Sequence, residues 1–151
     1  MPGLFDAQGD QTVTSSFLTV AGLTGATTIR PEICEIKLGA SGTPADNALV
    51  WLLQRYTAAG TSTGITPSAR NPANDGLHLA SFGSNHTAEP TYTSAKLPFS
   101  IPPIHQKNSL IWQAYAGDGI VIPATANNGV GIQVKAASYT GDVVAGMAWK
   151  E

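Results

Sequence analysis

The sequence predicts an all-β protein, an antiparallel sandwich or barrel of about eight strands with little or no helix. Charged residues make up only 12% of the 151 residues, about half the usual share, so the Glu, Lys and Arg that helical surfaces favour are scarce. Gly (16) and Pro (10) are plentiful, and together with Thr and Ser they suit strands and turns. Short alternating apolar segments recur between these turn residues, which favours strands over helices.

The first part of the chain contains three predicted strands, over residues 13–20, 31–38 and 47–56. The second, PEICEIKL, alternates most clearly and places Cys34, Ile36 and Leu38 on one face. The third, NALVWLLQRY, is almost continuously apolar and could also form a short helix. The flexible, polar TAAGTSTGITP that follows it at once favours a buried strand instead.

The middle of the chain, residues 57–93, is its least regular part, and we expect a long loop or an excursion within it, at residues 66–76. Its segment TPSARNPANDG carries two prolines and an Asn-Asp-Gly turn signal. Short strands interrupted by proline are expected in LHLASFG and PTYTSAKLPFSIPP. Three further strands follow, in SLIWQAYA (residues 109–116), in VGIQVKAAS and at the chain end, where residues 142–149 alternate loosely between two faces.

The length fits one domain, since a chain of this size buries roughly 70% of its unfolded surface. We divide it into residues 1–26, an N-terminal arm or first strand, and residues 27–151, the sandwich domain. The terminal strand indicates that the chain finishes inside its own fold. MPGLFDAQGD lacks the basic and apolar regions of a secretory signal, and no apolar run approaches the roughly 20 residues that span a bilayer. We therefore expect a soluble protein made in a cytoplasm, with no membrane partner.

The sequence predicts no catalytic, cofactor-binding or metal-binding residues. The net charge is −2 and the basic residues are scattered singly, which argues against a nucleic-acid partner. His78, His86 and His105 show no metal-ligand spacing, so we interpret them as surface or turn residues. Cys34 lies in the apolar phase of its strand, where a small buried hydrophobe is expected rather than a nucleophile.

Two further motifs are formal matches only. Gly129 and Gly131 could begin a dinucleotide fingerprint, but Val134 takes the third glycine position and a strand follows instead of a helix. Asn85 stands in an Asn-x-Thr acceptor sequence, which has no use without a secretory signal. Neither motif therefore supports a function.

The three tryptophans, Trp51, Trp112 and Trp149, fall inside predicted strands, where packing is the default role of an indole ring. A sugar-stacking platform would need exposed aromatic rings beside polar groups. The nearest candidate is WLLQRY, with Trp51, Arg55 and Tyr56.

Several segments together resemble small phage virion proteins with a jelly-roll sandwich. The segment PEICEIKLGASGTPADNALVWLLQRYTAAGTSTGITPSARNP resembles their front half. The segments AEPTYTSAKLPFSIPP, LIWQAYAGDGIVIPATANNGVGIQVKAAS and AGMAWKE resemble their back half. The resemblance spans residues 31–151 and implies a jelly roll and a decoration, or cement, protein on the capsid exterior, with the major capsid protein as partner and no enzymatic activity.

We accordingly expect a homotrimer at the points where capsomers meet, with the arm MPGLFDAQGDQT reaching to a neighbour. Low charge and many small residues suit close subunit packing at little desolvation cost. The alternative is a carbohydrate-binding jelly roll of a virion fibre or tail that attaches to host-surface glycans. A cupin-like hydrolase or isomerase and a filament or tail-tube subunit are further alternatives, and fold alone does not choose among them.

Overall fold

The computed structural model describes residues 3–96, 100–136 and 141–151. Within these ranges the chain forms thirteen strands and a single turn of 3-10 helix at Pro72–Asn74. The strands are β1 Leu4–Val13, β2 Leu18–Thr24, β3 Glu32–Ala40, β4 Ala48–Ala58, β5 Thr61–Ile65, β6 Ser68–Ala69, β7 Ser81–Ala88, β8 Thr91–Lys96, β9 Ile104–His105, β10 Leu110–Gln113, β11 Ile120–Val121, β12 Gly129–Lys135 and β13 Gly141–Lys150.

The strands form two antiparallel sheets, which confirms the predicted all-β sandwich. Sheet A has the order β10-β3-β13-β1-β6, with β11 also paired to β3. Sheet B has the order β5-β7-β2-β12-β4-β8, with β9 also paired to β4. Since β10 and β11 lie end to end on β3, we count them as one interrupted strand.

The order of the long strands is that of a jelly roll. With β5, β6, β7 and β9 set aside, eight strands remain, and consecutive ones mostly alternate between the sheets. Numbered along the chain, their order is 6-3-8-1 in sheet A and 2-7-4-5 in sheet B. This wrapping of paired strands around the sandwich is the jelly-roll arrangement that the resemblance implied.

Apolar side chains from the two inner faces make one core. Its largest fully buried members include Trp51 of β4 and Trp149 of β13. The Trp149 ring stacks on Phe82 of β7 with ring centroids 6.1 Å apart, so sheet A and sheet B are joined by an aromatic pair. Burying a large apolar side chain contributes about 1.5–3 kcal/mol each, which makes this layer the main source of stability.

The N-terminal segment forms the first strand of the sandwich, one of the two forms expected for it. β1 pairs with β13 along its whole length, from Leu4 opposite Lys150 to Val13 opposite Gly141. Gly9 and Gln11 take two inward positions of β1, which conceals the alternation in the sequence. Residues 1–26 are therefore not separate from the sandwich, because β1 lies in sheet A and β2 in sheet B; residues 1–2 lie outside the described part.

The prediction of one strand over residues 13–20 is wrong. β1 ends at Val13, and the chain passes to the other sheet before β2 begins at Leu18. The Thr14 hydroxyl accepts a hydrogen bond from the Ser16 amide (3.3 Å), a local bond of the kind that competes with strand pairing.

The loop or excursion expected at residues 66–76 begins only after β6, and the rest of residues 57–93 is more regular than its composition indicates. β4 continues to Ala58, and β5, β6, β7 and the start of β8 follow before residue 93. Their Thr, Ser and Gly composition resembles a loop because most side chains of β5 face solvent. The irregular part shrinks to residues 70–80, which cross from sheet A to sheet B.

The remaining predicted strands are present with altered ends. Residues 31–38 correspond to β3, residues 47–56 to β4, residues 109–116 to the shorter β10, and residues 142–149 to β13. The strand VGIQVKAAS corresponds to β12, but its residues 137–138 lie outside the described residues. The same is true of residues 97–99 in PTYTSAKLPFSIPP, whose first part forms β8.

A β-bulge changes the faces of β3. Trp149 pairs with Ile33 and Ala148 with Glu35, so Cys34 is the extra residue opposite β13. The bulge places Ile33 in the core with Ile36, whereas Cys34 is only half-buried. The expectation that Cys34 shares the buried face of Ile36 is therefore wrong, because strict alternation ends at the bulge.

Glu151 stabilises one end of the sandwich through several hydrogen bonds. The Glu151 carboxylate accepts hydrogen bonds from the Trp149 indole (2.8 Å) and from the backbone amides of Leu79 (2.7 Å) and Ala80. The backbone of Glu151 also pairs with Gly3 in both directions. We call this end of the molecule, with the loops of residues 70–80 and 114–119, the Glu151 end.

Candidate functional site

The three histidines lie apart in the structure. His78 packs edge-on against Phe5 at the Glu151 end, His105 lies beside Asp46, and His86 is buried against sheet B. In the described part of the chain, no group of three or more His, Cys, Asp or Glu side chains is arranged to hold a metal ion.

The candidate sugar-stacking platform at Trp51, Arg55 and Tyr56 is not an exposed surface. Trp51 faces the core, and Tyr56 lies on the opposite face of β4, where it is also buried. The Arg55 guanidinium donates to the Val121 carbonyl (2.8 Å), so it ties β4 to β11. The three side chains therefore stabilise the sandwich and present no aromatic surface to a sugar.

Cys34 has a structural partner. Its Sγ donates to the Ala148 carbonyl (3.3 Å) beside the bulge, and burial raises the pKa of the thiol. A thiol with a raised pKa is a poor nucleophile at neutral pH.

The outer face of sheet B carries the densest polar cluster among the described residues. We call it the outer polar layer. It consists of Thr19, Thr24, Tyr56, His86, Glu89, Tyr92 and Gln133. These side chains cover the sheet on the side away from the core, and this is why β2 and β12 are buried on both faces.

Glycines make room for the two tyrosines of the outer polar layer. A Cβ atom at Gly129 would overlap the Tyr56 ring, and one at Gly131 would overlap the Tyr92 hydroxyl. Tyr56 and Tyr92 meet edge to face, with centroids 6.0 Å apart. Glycine inside a strand often marks such a close approach, so these two glycines are explained by packing and not by a dinucleotide site.

A bulge in β7 brings His86 and Glu89 onto this face. Between Ser84 and Ala88, β7 has more residues than the opposing part of β5, and Asn85 adopts a left-handed conformation with φ 49°. Asn tolerates this conformation better than most residues. The Asn-x-Thr sequence at Asn85 thus contains the residue that bends β7.

Glu89 organises one half of the outer polar layer. Its carboxylate accepts from the Thr19 backbone amide (3.0 Å), from the Thr19 hydroxyl and from the Gln133 amide (3.4 Å). Since the single Thr19 hydroxyl proton goes to the carboxylate, the Tyr92 hydroxyl, 2.6 Å from Thr19 Oγ1, must donate to it. In the other half, the hydroxyls of Tyr56 and Thr24 are 2.7 Å apart.

Burial keeps Tyr56, Tyr92 and His86 of this layer neutral at physiological pH. Desolvation raises the pKa of Tyr56 to about 12, and it raises that of Tyr92 as well. Burial lowers the pKa of His86, although the nearby Glu89 charge partly opposes the change. The tyrosines therefore remain hydrogen-bond donors and His86 remains uncharged, which suits binding of neutral polar groups better than proton transfer.

Few sequence features predict this cluster. Thr19 and Thr24 belong to a strand whose other residues are apolar or small, and Glu89 and Tyr92 flank a proline turn. The available signal was the pair of glycines inside β12, because interior strand glycines indicate close approach of another group.

Comparison of the chain with protein-family models, with curated proteins and with solved structures gives no match. Among the described residues there is no helix of the length and apolar character that would cross a membrane.

Proposed function

We propose that the chain is a non-enzymatic virion protein, a decoration or cement protein bound to the exterior of a phage capsid, where it stabilises contacts between major capsid subunits. The resemblance of residues 31–151 to small virion proteins supports this proposal. The neutral hydrogen-bonding groups of the outer polar layer are consistent with a binding protein.

The observation that carries the proposal is the apolar surface at the Glu151 end. Leu77 and Leu79 in one loop are 64% and 55% exposed, and Tyr115 in a second loop is 86% exposed. Exposed apolar side chains that lie together, as Leu77 and Leu79 do around a pocket with Phe5 and Ile29, indicate a protein-interaction site. Tyrosine, as at Tyr115, is among the residues that most often provide the binding energy in interfaces.

Both loops at the Glu151 end are held in place by hydrogen bonds. The Glu151 carboxylate accepts from the amides of Leu79 and Ala80, and the Glu32 carboxylate accepts from the Gly119 amide (3.2 Å). The Tyr115 carbonyl accepts from the Asp118 amide (2.9 Å), which closes the tip of the second loop. Pre-ordered anchors lose little conformational freedom on docking, which favours end-on attachment to a shell.

A homotrimer would bind the capsid surface through three copies of the same weak contact at once. Several linked sites bind far more tightly than each site alone when their spacing matches the lattice. Light scattering over a dilution series tests the oligomer, and a stable mass three times 15.6 kDa is the expected result.

Co-sedimentation with capsids of the encoding phage that lack this protein tests the function. The wild type is expected to sediment with the shells, whereas Leu77→Ser/Leu79→Ser and Tyr115→Ser lose binding because they remove the apolar anchors. Ile111→Ser is the matched control, since Ile111 on sheet A is as exposed as Leu77, at 64%. Failure of the wild-type protein to sediment with the shells would contradict the proposed function.

The alternative, a carbohydrate-binding module of a fibre or tail, cannot use Trp51, Arg55 and Tyr56 as a stacking platform because Trp51 and Tyr56 are buried. A glycan site would have to lie elsewhere on the surface. Binding of the wild-type chain to fibres or tails but not to capsids would favour this alternative.

A further inference from the structure

Four glycines lie side by side across sheet B. Gly131 of β12 pairs with Gly22 of β2, Gly22 with Gly83 of β7, and Gly83 with Gly64 of β5. Their strand neighbours Val130, Leu23 and Phe82 are in the core, and since side chains alternate along a strand, the glycines face outward. We call this line of bare backbone the glycine row.

Packing explains three members of the glycine row and leaves one without a role. Gly131 lies under the Tyr92 hydroxyl, Gly22 under the edges of Tyr56 and His86, and Gly83 under Ser62. A Cβ atom at Gly64 would meet no other atom of the described residues within 4 Å. Glycine weakens a strand because of its conformational freedom. The open space above Gly64, next to Gly83, therefore indicates that another molecule can approach the backbone there.

A cavity of about 260 Å³ opens over this part of the glycine row. Gly22, Gly83 and Gly64 contribute backbone to it. The polar side chains around them are those of Thr24, Tyr56, Ser62, Ser81, His86 and Asn127. They offer hydroxyls, one amide and one imidazole, and no charged side chain of the described residues lines the cavity.

His86 supplies a second, independent indication of a ligand. Its side chain lines the cavity and it is only 6% exposed, yet its Nδ1 has no hydrogen-bond partner among the described residues. The adjacent Cε1 and Nε2 atoms lie 3.4 Å from the position that a Cβ would take at Gly22, so this edge of the ring faces the glycine row. A buried polar atom without a partner is destabilising, and a hydrogen bond to a bound ligand would remove that penalty.

From this geometry we propose that the cavity binds a neutral, hydroxyl-rich ligand the size of one sugar ring. The bare backbone of the glycine row allows a ring to lie flat on the sheet. Hydroxyl and amide groups of the protein both donate and accept, as sugar hydroxyls do. A phosphate or carboxylate ligand would lack a cationic partner here, and the volume lies below the usual range of about 300–1,000 Å³ for larger ligands.

Titration of the ¹⁵N-labelled protein with glucose, galactose, mannose and N-acetylglucosamine, followed by NMR, tests the proposal. At least one of these sugars is expected to shift the amide signals of Gly22, Gly64, Gly83 and His86 saturably at millimolar concentration. Glucose 6-phosphate and glucuronic acid are expected to bind at least tenfold more weakly. If none of the four neutral sugars shifts these signals, or if the charged sugars bind as well, the proposal is overturned.

The variant Gly64→Val fills the open position and is expected to abolish the shifts. Thr63→Val is the matched control, since it places the same side chain on the next residue of β5, which faces the other way. Unchanged sugar binding by a folded Gly64→Val protein would also overturn the proposal, and the wild-type titration decides the question if that variant does not fold. Capsid binding is measured in a separate assay. The proposed sugar site and the proposed capsid function can therefore fail independently of each other.

Discussion

On the outer face of sheet A, charged side chains hold neighbouring strands together, whereas on the outer face of sheet B neutral hydroxyls lie over glycines. Lys37 on β3 contacts Asp6 (2.8 Å) and Glu35 (3.0 Å), and Arg70 contacts Glu35 (3.2 Å). Gln113 of β10 donates to Glu35 (2.7 Å) and completes the network. Sheet A is thus held by long side chains that reach across an open face, and sheet B by groups packed against bare backbone.

This difference predicts how much stability each face loses when one of its side chains is substituted. A long charged side chain can move to another partner or to water, so a lost contact on sheet A is partly replaced. A hydroxyl on the outer face of sheet B is packed against its neighbours, so a lost hydrogen bond there is harder to replace. The covered face should therefore be the more sensitive one, and this expectation can be tested one residue at a time.

The largest expected difference is between two glycine-to-alanine changes. Gly129→Ala on sheet B would press a methyl group against the Leu23 carbonyl and the Tyr56 ring, and we expect a loss of about 3 kcal/mol in unfolding free energy. Gly39→Ala on sheet A has its nearest atom at 3.9 Å and should be neutral or slightly stabilising. Chemical denaturation measures both, and equal losses would show that the faces do not differ.

The next largest difference in unfolding free energy is expected between two glutamate-to-alanine changes. Glu89→Ala leaves the buried Thr19 amide and hydroxyl without an acceptor, so we expect a loss of about 2 kcal/mol. Glu32→Ala removes one hydrogen bond to the Gly119 amide in a loop, and its expected cost is below about 1 kcal/mol. Urea unfolding of the two variants checks this order, and a larger loss for Glu32→Ala would contradict it.

Acid should weaken the two faces in different pH windows. Burial lowers the folded-state pKa of His86 below 6.5, so the unfolded chain binds the proton more readily and stability falls as pH drops below that value. Hydrogen bonds from Gln113 and Lys37 lower the pKa of Glu35 below 4.5, so its stabilisation is lost only as pH drops below 4.5. We expect His86→Asn to remove the loss in the upper window and Glu35→Gln the loss in the lower one, as measured by unfolding at stepped pH. A His86→Asn protein with the wild-type pH dependence would show that His86 does not cause the upper step.

The smallest expected effect is the dependence of the stability loss on salt concentration. Arg70→Ala on the outer face of sheet A should cost about 0.5 kcal/mol at low ionic strength, and less in concentrated salt, because exposed ion pairs are screened. Tyr56→Phe on sheet B removes a neutral hydrogen bond to Thr24, and its cost should not depend on salt. Thermal unfolding at two salt concentrations separates the two kinds of contact.

The sequence was sufficient for the fold class and for β3, β4 and β13, whose apolar residues recur at clear strand spacing. It was insufficient for β1, where Gly9 and Gln11 occupy inward positions, and for the face of Cys34, which a bulge decides. The packing role expected for Trp51 is confirmed, and the candidate platform with Arg55 and Tyr56 is excluded because Trp51 and Tyr56 are buried on opposite faces of β4. The outer polar layer depends on register between distant strands, and no local pattern reports that register.

The most direct test of the proposed function is electron cryo-microscopy of capsids from the encoding phage with the protein bound. The account predicts density for the sandwich on the capsid exterior, with the Glu151 end and its residues Leu77, Leu79 and Tyr115 against the major capsid protein. Capsids without this density, or with the Glu151 end turned to solvent, would contradict it.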